Sequence, residues 1–293
     1  MIDYARVIAW VLVSLVSAAA GAAELPSDND DTMRVKPVAS DKGPAPQQSD
    51  KTQQTENKPQ EEADDAVLDL AQPDFTIVNL PTTLAVPRYK SAFRVTHRFG
   101  RPLGQGDFGD LVEDLFGFDS GALIGLEYRF GLIRGGQVGI HRTSNKTIQF
   151  FAEYLALRQS SGRPVSVAVI ATAEGTNNFR DSKSPAVGAI ISRTIRERAA
   201  LYVEPIWINN TNPLPSELTE DNSTFVLGVA GRLRIRPTVY LVLEAVPRLG
   251  GDSPGKQLIS FGVEKRVGGH AFQLNFSNSF GTTLAQIARG GAN

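Results

Sequence analysis

Ala122-Leu123-Ile124-Gly125-Leu126-Glu127-Tyr128-Arg129-Phe130 alternates residue by residue. Ala122, Ile124, Leu126, Tyr128 and Phe130 fall on one parity, and Leu123, Gly125, Glu127 and Arg129 on the other. Side chains alternate faces along a strand, so one face is apolar and aromatic while the other carries charge in mid-strand. Thr147-Gln149-Phe151-Glu153 interleaves in the same way with Ile148-Phe150-Ala152-Tyr154, and Gln273-Asn275-Ser277 with Phe272-Leu274-Phe276. A soluble sheet can also put charge on its outer face. Alternation alone therefore does not say which face is wet.

The N-terminus and the turn pattern decide that. Arg6 precedes an apolar run, Val7 to Ala20, and Gly21-Ala22-Ala23 offers small residues for cleavage before Glu24. The run is shorter than the roughly 20 residues a spanning helix needs, so residues 1–23 read as a cleaved export signal. Residues 24–70 hold 12 acidic and 5 basic residues, against a net charge of −1 for the whole chain, leaving +6 for 71–293. Residues 24–65 almost lack large apolar side chains, so they cannot bury enough surface to offset chain entropy. Residues 24–70 are read as a disordered acidic periplasmic linker, and 71–293 as the folded domain.

Strands are expected at 90–99, 121–130, 135–143, 146–158, 164–173, 187–195, 199–208, 223–235, 238–246, 257–266 and 270–279. The segment TIQFFAEYLALRQ (147–159) suits a helix in isolation. Glu153 falls in step with the other mid-strand glutamates, which assigns it to a strand. Connections at 100–120, 174–186, 209–222 and 247–256 are long, with the hairpin Thr143-Ser144-Asn145-Lys146 a short exception on that side, and those at 131–134, 160–163, 195–198, 236–237 and 267–269 are short. Outer-membrane barrels have short periplasmic turns and longer extracellular loops. The chain thus reads as all-β: a transmembrane, antiparallel, up-and-down barrel, with lipid outside and a polar lumen inside. Bacterial barrels have an even strand count, so about 12 strands are expected. Eleven are found, and the chain is therefore read as one closing strand short. Residues 75–86 are the alternative source of that strand, but Pro81 removes a ladder donor. They read instead as an entry segment tucked under or into the barrel. GTTLAQIARGGAN (281–293) reads as loop.

Four stretches carry a resemblance: Thr96-His97-Arg98-Phe99-Gly100-Arg101-Pro102-Leu103, GDFGDLVEDLFGFDSGA (106–122), IHRTSNKTIQFFAEY (140–154) and VEKRVGGHAFQLNFSNS (263–279). Over about residues 74–293 the chain resembles an uncharacterised family of Gram-negative outer-membrane β-barrel proteins. The resemblance implies the fold and a location in the outer membrane. It implies no substrate.

The inward parity supplies the candidate site. Glu127, Glu153, Glu204, Glu244 and Glu264 share it with Arg94, Arg98, Arg129, Arg232 and Arg234. A buried charge must be paired or solvated, so these groups read as a lumen network. Eight strands are just filled by side chains, whereas 16–18 leave a channel. One reading is passive passage or transport of small solutes through a charged lumen. The alternative is a non-conducting structural barrel, or one that binds a ligand or partner, in which the pairs satisfy one another. Minor readings are an outer-membrane hydrolase and a soluble lipocalin-like periplasmic barrel.

Nothing sets a nucleophile beside a base, so no enzymatic activity is expected. His97, His141 and His270 lack metal-ligand spacing, and the chain has no cysteine; no cofactor or metal is expected. Gly104-Gln105-Gly106-Asp107-Phe108-Gly109 matches GxGxxG, but no βαβ unit follows, and Asp107 would repel a pyrophosphate. The phenylalanines and leucines at 108–118 suggest that this acidic loop packs on something. The expected partners are the lipid bilayer of the outer membrane, the barrel-assembly machinery and small solutes. No stripe of basic residues suggests nucleic acid.

Overall fold

The computed structural model describes residues 70–290 apart from 101–106, 114–120, 213, 215–220 and 254. The expected signal and linker, residues 1–69, thus lie outside the described residues. The strands are β1 (Ser91–Phe99), β2 (Ala122–Ile133), β3 (Gly136–Thr143), β4 (Ile148–Leu157), β5 (Ser166–Gly175) and β6 (Asp181–Ile195). They continue as β7 (Ala199–Asn209), β8 (Ser223–Arg236), β9 (Val239–Val246), β10 (Arg248–Gly251), β11 (Leu258–Val267) and β12 (His270–Ser277). Two short helices, α1 (Phe108–Glu113) and α2 (Leu284–Ala288), complete the elements used below.

All twelve strands belong to one sheet. β1 to β9, β11 and β12 pair in chain order, each antiparallel to the next, and β10 adds to the start of β8. The registers agree with the alternation in the sequence: Glu127 lies opposite Arg94 and His141, and Glu244 opposite Ala230 and Ser260. No helix among the described residues is long and apolar enough to cross a membrane.

The molecule is apolar outside and largely polar inside. Leu126, Tyr128, Phe150, Leu241, Phe261 and Leu274 are all exposed, at 42–68 %. Glu127, Arg129, Glu153, Glu204, Arg232, Glu244 and Glu264 are all buried. Only a lipid-facing wall makes that arrangement favourable.

Three expectations need correction. β6 begins at Asp181, so the connection expected at 174–186 shrinks to a tight turn through Asn177 and Asn178, both with left-handed φ (50° and 58°). The polar start of β6, with Pro185, resembles a loop because this end of the strand does not follow the lipid-facing alternation. β10 lies in what read as a loop, 247–256. Residues 284–288 form α2 rather than loop, with the Thr283 side chain accepting from the Gln286 N–H as the N-cap. Phe108 on α1 is 72 % exposed, and the later apolar side chains of that loop expected to pack, Leu115, Phe116 and Phe118, lie outside the described residues.

β1 and β12 do not pair among the described residues. Residues 75–86 do not fill the seam between them either: they lie in the lumen. Three short-turn strand ends carry irregularities, at Gly131/Ile133, Leu155/Leu157 and Arg234/Arg236. Bulges at a barrel rim increase the local twist.

Candidate functional site: a lumen closed from both ends

The lumen is occupied by the chain itself. Residues 70–86 enter at the short-turn end, where the Tyr240 hydroxyl donates to the Leu70 carbonyl (3.0 Å). They rise to a tip at Val78-Asn79 and return. The Ile77 N–H bonds the Leu80 carbonyl (2.8 Å), the Thr82 N–H bonds the Phe75 carbonyl (2.9 Å), and Thr76 bridges Pro81. Pro81 thus closes a hairpin finger, which explains its poor fit to a wall strand. The finger leaves through Val86 and Pro87 at the end where it came in, and β1 begins there.

Wall residues hold the finger by name. Glu244 accepts from the backbone N–H groups of Val78 (3.1 Å), Asn79 (2.9 Å) and Leu80 (3.1 Å), and from Asn79 Nδ2. Successive amides around one carboxylate form an anion nest. Arg232 pairs with Glu264 (2.9 Å) and donates to the Thr76 carbonyl (2.7 Å). Gln273 Nε2 donates to the Ile77 carbonyl (2.6 Å), and Gln137 bonds both the Leu84 carbonyl and the Val86 N–H. Thr83 and Ser192 hydroxyls meet at 2.6 Å.

The inner wall is mostly polar but not uniformly so. Ile170, Ile190, Ala200, Ile206 and Val242 on β5 to β9 form a buried apolar cluster that takes in Ile77 and Leu80 of the finger. Both are fully buried, each worth about 1.5–3 kcal/mol of transfer free energy. The wall is complementary to the finger, apolar on one side and hydrogen-bonding on the other.

The long-loop end is closed by residues 279–290. Glu174 accepts from Thr283 Oγ1 and from Arg289 Nη1 (3.1 Å), and Arg248 donates to the Ala288 carbonyl (3.1 Å). Leu284, Ala285, Ile287 and Ala288 of α2 are buried. Arg98 joins the two inserts: Nη2 donates to Asn79 Oδ1 (2.8 Å), and Nη1 to the carbonyls of Ser279 (2.9 Å) and Gly281 (3.0 Å).

Between finger and cap a cavity of about 30 Å³ remains, lined by Thr76, Asn79, Arg94, Glu127, His141 and Thr282 among others. That is room for one or two waters. Beside it Arg94 pairs with Glu127 (3.1 Å), Arg129 bonds Glu127, and Arg129 Nη1 lies 3.6 Å from Glu153. The Arg129 guanidinium also sits 4.7 Å from the Phe151 ring centroid.

Of the ten sequence-predicted residues, Arg94, Arg98, Glu127, Arg129, Glu153, Arg232, Glu244 and Glu264 share this interior as pairs or finger contacts. Glu204 is buried there, but neither carboxyl oxygen has a hydrogen-bond partner among the described residues. Arg234 does not join the lumen network. It keeps the inward parity but lies at the rim, donating to the Pro237 and Glu197 carbonyls. Sequence reasoning missed Asn79, Gln137, Gln273, Glu174 and Arg289. A Gln or Asn on the inward parity of a strand is the signal that could have found Gln137 and Gln273.

No curated protein matches the sequence. Residues 74–293 match the family described as a membrane bound beta barrel domain (DUF5777). An outward apolar belt on an antiparallel sheet is what a membrane-bound barrel requires, and the chain belongs to this membrane-bound β-barrel family.

Proposed function

We propose that the protein is a non-conducting outer-membrane barrel, a scaffold fixed in the bilayer with its lumen filled by its own chain. The observation that carries this is the double closure: a finger bonded to Glu244 and Arg232 from one end, and α2 bonded to Glu174 and Arg248 from the other. The cavity between finger and cap, at about 30 Å³, is smaller than a hydrated solute. In this reading residues 1–23 direct export, the barrel-assembly machinery inserts the domain, and the long loops and the N-terminal linker meet partners. The reading is non-enzymatic, because most of the buried acids and arginines bond the finger, the cap or one another.

One feature favours a second reading, passage of small solutes. The finger enters and leaves at the same end, so it could be withdrawn without threading the chain. The absence of native cysteine allows a clean test. Thr83→Cys with Ser192→Cys places a disulfide between finger and wall. Single-channel recordings in planar bilayers should show no unitary conductance for the unaltered chain or for the oxidised pair. Steady channels in the oxidised pair would overturn the plugged-scaffold reading. Channels seen only after reduction would establish a gated pore instead.

A further inference from the structure

The short-turn end carries a ring of positive charge. Arg134, Arg158, Arg163, Arg196, Arg198 and Arg236 sit in or beside the turns after β2, β4, β6 and β8, and all are exposed. Arg88 and Lys90 precede β1 at the same end, and Lys265 sits near the end of β11. Glu197 is the one carboxylate in these turns, and it lies 3.9 Å from Arg234. The opposite end carries both signs, with Asp107, Asp110 and Glu113 on one side of the balance and Lys146, Lys183 and Lys256 on the other.

We propose that this ring binds anionic phospholipid headgroups in the leaflet it faces. Leu132, Ile133, Leu157, Ile235 and Val267 end the outward apolar belt, each exposed at 46–51 %. The guanidinium-bearing residues follow within one to a few positions. At about 3.3 Å per residue, that places the charges about 3–10 Å beyond the belt. The headgroup layer occupies about 5–7 Å on each side of the hydrocarbon core, so the two coincide. The ring therefore continues the lipid interface of a membrane-bound barrel, and it does so around the circumference, as a lipid annulus does.

The residue type points the same way. Arginine outnumbers lysine in these turns, and its planar fork matches phosphate with paired hydrogen bonds. So many like charges on one rim repel each other unless an anion lies between them. The chain holds a competing anion: the segment before Leu70 is strongly acidic and joins the barrel at this end. Headgroups adjoin the apolar belt by necessity, which favours them as the occupant. The inference rests on the membrane assignment and not on the plugged lumen, so the conductance result leaves it standing or falling on its own.

The test uses the full chain in phosphatidylcholine vesicles doped with spin-labelled phosphatidylglycerol or spin-labelled phosphatidylcholine. Electron spin resonance reads the fraction of each label immobilised at the protein. Near an anionic surface each basic residue favours association about fivefold, so an annulus averaged over both leaflets should prefer phosphatidylglycerol about threefold. The preference should fall toward unity in 1 M salt, where the screening length is about 3 Å. It should also fall when all six turn arginines are changed to glutamine, with folding checked by heat-modified gel mobility. Arg196→Gln with Arg198→Gln, confined to one turn, should lose part of it and carries the test should the sixfold variant not fold. Equal association of both lipids with the unaltered chain overturns the proposal, as does an unchanged preference in a folded variant. A preference that emerges only after residues 24–65 are deleted also overturns it, by showing that the acidic segment occupies the ring.

Discussion

Two inward glutamates show how far parity reaches and where it stops. Glu204 on β7 and Glu244 on β9 both face inward across β8 and are both fully buried, yet they do opposite things. Glu244 satisfies three finger amides. Replacing it with leucine leaves those donors buried without an acceptor, at roughly 1–3 kcal/mol each, so Glu244→Leu should cost more than about 3 kcal/mol. Glu204 has no partner to lose, and Glu204→Met should be neutral or stabilising by about 1–3 kcal/mol. Denaturant unfolding of the refolded barrel in detergent micelles measures both. Equal losses would show that Glu204 has a partner in the membrane. The sequence marks both residues as inward. It cannot separate them, because the difference lies in a finger more than 160 positions away from Glu244. Asn79 escaped notice for the same reason: its amide reaches Glu244, and Arg98 on β1 reaches its carbonyl oxygen, through contacts with no local sequence signature.

At the scale of elements, strands were legible because lipid enforces period two. Every strand expected from alternation is present, most with ends within two or three residues, including β4 despite its helical composition. The misses fall where lipid stops acting. The first third of β6 and all of β10 lie toward the long-loop end, where outward residues need not be apolar. α2 is five residues inside the lumen, and its burial comes from Glu174, Arg248 and the wall rather than from its own pattern. The same argument predicts an asymmetry of mutations. Leu241→Arg or Leu274→Arg puts a charge into the outward belt and should cost about 2–4 kcal/mol near the midplane. Asn275→Arg sits one position along β12 but faces inward, half-buried, and should cost much less. Folding yield and heat-modified mobility compare them, and equal effects on both faces would contradict the assignment of lipid to the apolar side.

At the scale of the whole molecule, the seam between β1 and β12 is the exception to a well-paired wall. Every interior strand is hydrogen-bonded on both sides, and β7 pairs with β8 over eleven consecutive residues. Among the described residues β1 pairs only with β2, and β12 only with β11. In hydrocarbon each unpaired backbone group costs several kcal/mol, so this line is the weakest part of the barrel. The inserts support it from inside: Gln273 on β12 holds the finger, and Arg98 on β1 holds both finger and cap. They bond side chains, however, and among the described residues they add no strand to the ladder at either edge. Local opening follows the density of such ladders. Amide hydrogen exchange on the barrel in lipid should therefore be fastest for the seam-facing N–H groups of β1 and β12 and slowest in β6 to β8. Arg98→Ala, which unties finger and cap together, should accelerate exchange at the seam and in residues 75–82 while leaving β6 to β8 protected. Uniform protection from β1 to β12 would mean that the two edges find a strand to pair with in the membrane.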